Sequence, residues 1–154
     1  MENTFKTILD ALPYKDPFLF VNEIVSISEE RVEGIYMFSP EAYFYEGHFK
    51  EIAVTPGVIL TECMAQIGVV CLGIYLLSKE DSHFNTAGLQ VAMSNTNIDF
   101  LKPVYPGETV TVISEKKYFR FNKLKCAVKM LNSKEEVICK GTISGMIKFS
   151  EDEK

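Results

Sequence analysis

Two side chains in this sequence have the type and setting to move protons. His48, one of two histidines, stands in a loop crowded with aromatic residues, Tyr43, Phe44, Tyr45 and Phe49. Glu62 is the lone charged residue in an apolar run spanning residues 58–77. A carboxylate there carries a desolvation cost unless it is paired or protonated. Burial raises a carboxyl pKa and keeps a proton available near neutral pH. Gln66, four residues on, shares the helical face of Glu62, where its amide could orient the carboxyl. Gly57, at the start of the run, lets a ligand approach backbone N–H groups that can hold a developing oxyanion. Histidine, carboxyl and helix N-terminus together suit removal of a proton beside a carbonyl, with loss of a group two carbons away. Each also has a plainer reading. A loop histidine is commonly structural or simply exposed. A glutamate in the first turns of a helix is favoured by the helix dipole whatever its function. Pro56-Gly57 is a good helix opener in its own right. The second histidine, His83, sits beside Phe84 in a polar connection and reads as solvent-facing.

These residues need a scaffold, and the sequence predicts one. Pro56-Gly57 opens a helix over residues 56–77, roughly 30 Å long at 1.5 Å per residue. Being apolar nearly all round, it should be buried. Its length would also suit a membrane span. However, Glu62 lies near its start, its flanks lack basic anchors and an aromatic belt, and the rest of the chain alternates like strands of a soluble sheet. The expectation is a core helix and no membrane span. Residues 3–12 form a short amphipathic helix with Phe5, Ile8, Leu9 and Leu12 on one face, ended by Pro13. Residues 18–28 and 31–38 read as a hairpin turning at Glu29-Glu30, and residues 39–49 as the aromatic loop. After a polar connection, 78–86, come four strands at 88–102, 108–121, 124–131 and 136–149. Turns are expected at Pro106-Gly107, Asn122-Lys123 and Asn132-Ser133. One long helix followed by antiparallel strands implies an α+β domain, the helix packed on one curved sheet. A single domain over residues 1–150 with a short charged tail, 151–154, accounts for the length.

Composition narrows the partners. The chain carries a net charge of −5 and no nucleic-acid-binding motif, so nucleic acid is not expected. Charge is uneven: residues 1–100 hold five Lys/Arg against fourteen Asp/Glu, and residues 101–150 hold ten against four. Lys116, Lys117, Arg120, Lys123 and Lys125 gather around one hairpin, where they would attract an anionic partner or merely blunt an exposed strand edge. The four cysteines (Cys63, Cys71, Cys126, Cys139) lack CxxC and zinc-ligand spacing and are expected to be small buried thiols of a reducing cytosol. The first ten residues mix charges early and show no signal peptide, so a cytoplasmic protein is expected.

Two blocks of residues carry a family resemblance. Tyr43-Phe44-Tyr45-Glu46-Gly47-His48-Phe49, followed by Val54-Thr55-Pro56-Gly57 and Thr61-Glu62-Cys63-Met64-Ala65-Gln66, resembles the signature of the 3-hydroxyacyl-[acyl carrier protein] dehydratases. Leu12-Pro13-Tyr14-Lys15-Asp16-Pro17-Phe18-Leu19-Phe20-Val21 is similar to their opening segment, and Lys102-Pro103-Val104-Tyr105-Pro106-Gly107-Glu108 to a later strand and turn. The likeness spans about residues 11–149, in the family's order. It implies the hot-dog fold, a long helix wrapped by an antiparallel sheet. Glutamate at position 62 resembles the FabZ-like branch rather than the dehydratase-isomerase branch, which usually has aspartate there.

By the resemblance, His48 is the catalytic base at C2 and Glu62 the acid at the departing 3-hydroxyl. The Val54 carbonyl orients the His48 ring, the Gly57 N–H holds the thioester oxygen, and Gln66 supports Glu62. It implies a homodimer, or a trimer of dimers, in which His48 and Glu62 meet across the interface. It requires no metal or redox cofactor, the substrate being carried on the phosphopantetheine of an acyl carrier protein, which gives the basic hairpin a docking role. Three departures mark a divergent member with its own acyl substrate, in fatty-acid synthesis or in a related polyketide or polyene lipid pathway. Prolines usual near Lys50 and Ala53 are missing, Phe100-Leu101-Lys102 replaces a more arginine-rich stretch, and Thr55 stands where methionine is common. Two rival readings are a hot-dog acyl thioesterase, which seldom needs a histidine in the Gly47-His48-Phe49 setting, and a non-catalytic acyl-binding or scaffold subunit, which would be expected to lose His48 or Glu62.

Overall fold

The computed structural model describes residues 2–81 and 87–149; the expectations for His83 and for the tail 151–154 lie outside the described residues. Helix α1 (Glu2–Ala11) presents Ile8 to the core, with Phe5 and Leu9 packed partly against it. Strands β1 (Glu23–Ile27) and β2 (Arg31–Met37) form the expected hairpin. Helix α2 runs unbroken over Gly57–Glu80. Strands β3 (Leu89–Phe100), β4 (Thr109–Arg120), β5 (Lys123–Leu131) and β6 (Val137–Phe149) follow. All pair antiparallel in one six-stranded sheet ordered β1-β2-β4-β5-β6-β3. Val32, Val110, Val112, Leu124, Cys126 and Met130 of the sheet are buried with Met64, Ile67 and Leu72 of α2 in one hydrophobic core. This is the α+β hot-dog arrangement, and α2 is its buried core helix. All four cysteines are buried and free.

Two details depart from the sequence expectation. The first strand begins at Glu23 rather than at residue 18, because the backbone of Phe18 and Phe20 bonds to a side chain of α2 instead of to a neighbouring strand. The second hairpin turns one residue early: Phe121 and Asn122 hold the positive φ angles, 51° and 60°, and Lys123 already pairs with Arg120. In the sheet order β4 and β5 lie inside, with β1 and β3 at the edges, but β4 beyond Lys116 pairs with β5 alone, so the basic tip of that hairpin is a local edge, as expected.

Helix α2 is not uniform. It is α-helical over Gly57–Ala65 and Leu72–Glu80, but widens into a π-helical segment over Gln66–Cys71. Such segments recur where a side chain must be re-aimed at a functional site. The buried Ser114 hydroxyl of β4 donates to the Gly68 carbonyl at 2.9 Å, and Cys126 Sγ lies 3.6 Å from the same oxygen. Sheet and helix come this close because residue 68 has no side chain. A Cβ there would stand 2.9 Å from Ser114 Cβ and 3.2 Å from Val128 Cγ1. Both are short, β-branched or strand-bound groups with little room to yield. Gly68→Ala is therefore expected to cost about 2 kcal/mol by overpacking. The check is a lowered urea midpoint at an unchanged m-value; an unaltered midpoint would mean that the helix can lift off the sheet freely.

Candidate active site

The loop before α2 is tied down at both ends. Residues Tyr43–Glu46 make one 3₁₀ turn, and the buried Tyr45 hydroxyl shares a 2.6 Å hydrogen bond with buried Thr55. The Phe49 N–H donates to the Ile52 carbonyl, the Val54 N–H to the His48 carbonyl and the Thr55 N–H to the Val104 carbonyl, at 2.8, 2.9 and 2.8 Å. These bonds stiffen a loop that lacks the resembled family's prolines, and they give Thr55 a physical reason to replace methionine. His48 is half-buried, its ring stacked on Phe49 with centroids 4.0 Å apart. Its Nδ1 lies 2.8 Å from the Val54 carbonyl oxygen. A carbonyl can only accept, so Nδ1 carries the proton and Nε2 keeps its lone pair as a base.

Glu62 lies one and a half turns into α2, half-buried. Its Oε2 accepts from Gln66 Nε2 at 3.0 Å. The Gln66 side chain is fully buried and spends its remaining capacity on the opening segment. Its Oε1 accepts the Phe20 N–H at 2.8 Å, and Nε2 also donates to the Phe18 carbonyl at 3.1 Å. Burial raises the Glu62 carboxyl above its usual range, while the Gln66 bond pulls it part of the way back.

At the start of α2, Ile59 and Leu60 donate to the Pro56 carbonyl. The Gly57 and Val58 N–H groups precede any intrahelical acceptor. Gly57 lies under the Phe100 ring, whose nearest atom would be 3.2 Å from an added Cβ. Two concavities meet at Glu62. An open groove is bordered by Gly57, Val58, Thr61 and Phe100, and a partly enclosed cavity of about 210 Å³ by Tyr14, Phe18, Val69, Val70 and Ile143; Glu62 and Met93 border both. His48 borders neither. Gly57, Glu62 and Gln66 thus belong to one locus of this chain, and His48 with Val54 to another.

The basic residues divide as well. Lys116 points to the inner side of the hairpin and pairs with Glu30 at 3.3 Å. Beyond a bulge at residue 117, Arg120 stands opposite Lys123, and Lys125 opposite Tyr118. Arg120 lies over the Tyr118 ring at 4.5 Å. The neighbouring Leu124 packs near Gly73 of α2, about 24 Å along the helix from Gly57 at 1.5 Å per residue. Among the described residues, no group of three or more His, Cys, Asp or Glu side chains is placed to hold a metal ion. The sequence reading missed Tyr14 as a site residue and Phe100 as the cover over Gly57; neither lies near the site in sequence, and only the fold brings them there.

A buried helix wrapped by a curved antiparallel sheet defines the hot-dog class of proteins. This chain belongs to the FabA-like domain family, whose profile matches residues 12–145. It is 34% identical over 150 residues to the FabZ 3-hydroxyacyl-[acyl-carrier-protein] dehydratase of Caldicellulosiruptor saccharolyticus, covering 92% of this chain and 96% of that one. It is 30% identical over 145 residues to the FabZ dehydratase of Streptococcus agalactiae, covering 94% and 95%. Among solved structures, the dehydratase heterocomplex ApeI:P from Xenorhabdus doucetiae is similar with a TM-score of 0.75 at 12% identity, covering 93% and 92% of the two chains. A hypothetical thioesterase from Streptococcus pneumoniae, solved with coenzyme A, gives 0.61 at 16%, covering 82% and 85%. At such identities the structural likeness is one of fold.

The raised Glu62 carboxyl has a consequence for stability. A carboxyl whose folded pKa lies above its unfolded value contributes stability that is complete below the unfolded pKa and lost as pH rises through the folded one. Glu62→Gln, which can still accept from Gln66, escapes that loss. Its urea midpoint should match wild type near roughly pH 4, in the ordinary carboxyl range, and exceed it increasingly toward neutrality. Parallel pH profiles would remove the argument from burial.

Proposed function

We propose that this protein dehydrates a (3R)-3-hydroxyacyl thioester, carried on the phosphopantetheine of an acyl carrier protein, to the trans-2-enoyl thioester, with His48 as base and Glu62 as acid. The observation that carries this reading is the position of Glu62, where a groove leading from a helix N-terminus meets a largely apolar cavity. A thioester oxygen lying in the groove would accept from the Gly57 N–H, as C2–H weakening puts negative charge on it. His48 Nε2 takes the C2 proton, and the C–H electron pair becomes the C2–C3 π bond. The C3–O bond breaks with its electrons on oxygen, and Glu62 protonates that oxygen to release water. The family match and the FabZ relatives support the reaction. The substrate thioester itself acidifies C2, so no resident cofactor is part of the proposal.

His48 borders neither of the two concavities that meet at Glu62, which favours a homodimer in which each site draws its histidine from one protomer and its glutamate from the other. The unpaired long edge of β3 and the exposed apolar side chains of Phe49, Ile52 and Val58, 58%, 60% and 78% accessible, support such an interface. A trimer of such dimers and a cytoplasmic location, consistent with four buried free thiols, complete the proposal. The carrier is assigned to the outward basic groups Arg120, Lys123 and Lys125, with Lys117 beside them and Lys116 supporting the hairpin through Glu30.

The test is turnover of carrier-borne 3-hydroxyacyl thioesters followed by mass spectrometry for both water loss and acid release. His48→Ala and Glu62→Gln should each cut water loss by about 10²- to 10⁴-fold, the usual span for a general acid or base, with fold and assembly intact. Acid release without water loss would make the protein a thioesterase. Acyl binding with no turnover at any chain length would make it a scaffold. For docking, Arg120→Glu combined with Lys123→Glu should raise KM for carrier-borne substrate about tenfold relative to the same acyl group on free pantetheine, an effect that fades with salt. An unchanged ratio would move the docking surface elsewhere.

A further inference from the structure

The cavity inward of Glu62 has a second polar wall that the reaction scheme does not use. Tyr14 follows the proline that ends α1 and lines this cavity with Glu62. The side chain is half-buried, and its hydroxyl makes no hydrogen bond to any described residue. Burial first, and the nearby Glu62 carboxyl second, push the phenol well above its ordinary range. It therefore stays an O–H donor at any physiological pH. Most of the remaining lining is apolar: Phe18, Ala65, Val69, Val70 and Ile143 among others, with the buried Ser144 of β6 as the other polar residue.

Such a lining sets a requirement on the chemistry. Dehydration generates a water molecule in this space, and a buried water needs two to four polar partners. One oxygen of Glu62 is already engaged by Gln66, which fixes the carboxyl and reduces what it can offer. A free, permanently protonated hydroxyl beside it meets the remaining need. The geometry points to Tyr14 as a further catalytic residue: its phenol O–H donates a hydrogen bond to the 3-oxygen of the substrate as the C3–O bond breaks, so that Glu62 and Tyr14 hold the departing hydroxyl between them. No proton is transferred from Tyr14. Glu62 supplies the proton of the leaving water, and Tyr14 stabilises the charge that accumulates on oxygen before that proton arrives. This role rests on the dehydration reading above.

The experiment compares wild type, Tyr14→Phe and Glu62→Gln on two substrates of equal chain length, a 3-hydroxyacyl and a 3-chloroacyl thioester. Chloride departs without a proton and needs little hydrogen-bond assistance. Tyr14→Phe should lower kcat for water loss about 10²-fold, the usual effect of removing one oxyanion donor, with KM nearly unchanged. It should leave chloride elimination within about threefold of wild type, since that step needs no proton donor at C3. Equal losses on both substrates would make Tyr14 a structural residue, and wild-type water loss by Tyr14→Phe would leave it no role in the reaction. Both results overturn the proposal. A wild type that eliminates chloride but never forms enoyl product from the 3-hydroxy substrate would instead overturn the dehydration reading, and the role of Tyr14 with it.

Discussion

The side-chain amide of Gln66 is the point on which the site depends. It sits in the core with no exposure, where an unpaired amide would cost about 1–3 kcal/mol. It is paired three times: with the Phe20 N–H, the Phe18 carbonyl and the Glu62 carboxyl. Those three bonds join the opening segment, the central helix and the acid group into one unit. The same bonds hold Phe18 and Phe20 out of the sheet, since the Phe18 carbonyl and the Phe20 N–H are taken by the helix side chain. Cys63, whose Sγ lies 3.4 Å from the Phe20 carbonyl, adds a weaker tie at the same place. Buried polar networks of this kind rigidify a core when every member is satisfied, and no buried side-chain nitrogen or oxygen among the described residues lacks a partner.

The widened turn of α2 begins at that same glutamine. Its extra residue per turn changes the direction of the side chains after Gln66 relative to those before it. The Gly68 carbonyl, freed toward the sheet, is received by Ser114. The helix is thus fastened on one flank to the opening segment and on another to β4, with Glu62 just ahead of both attachments. In the proposed reaction, a carboxyl held this firmly loses little entropy when substrate arrives, which is the main contribution of pre-organisation to catalysis. The loop bearing His48 is held on different terms. Its stiffness comes from backbone bonds and from the Tyr45–Thr55 pair, so His48 and Glu62 are positioned by independent parts of the fold. That separation suits the proposed site shared between two protomers.

Much of this was legible in the residues. Apolar continuity over residues 58–77 marked α2, because a helix apolar on every face can only be buried. Alternation and turn residues located the last four strands to within a few residues. The four-residue spacing of Glu62 and Gln66 forecast their hydrogen bond, since that spacing stacks side chains on one helical face. Misplacements came where side chains compete with backbone. Residues 18–22 look like strand by composition, but Phe18 and Phe20 bond to Gln66 instead. At the second hairpin, Asn122-Lys123 offered better turn chemistry than Phe121-Asn122, yet the bulge at residue 117 shifts the register and puts Phe121 at the left-handed position.

What the sequence determined by itself was local and periodic: a buried helix opened by Pro56-Gly57, an antiparallel succession of strands, and a carboxyl stranded in apolar surroundings. Those follow from spacing, which the chain carries in one dimension. Tertiary structure alone decided which distant groups share a space. Tyr14 reaches the cavity of Glu62 because α1 and its proline exit pack beside α2, and Phe100 covers Gly57 because β3 crosses the helix start. His48 lies outside both concavities that Glu62 borders, although only fourteen positions separate the two, because the loop bonds hold the histidine ahead of the helix. Such proximities depend on how whole elements pack in three dimensions, and no window of sequence encodes that packing.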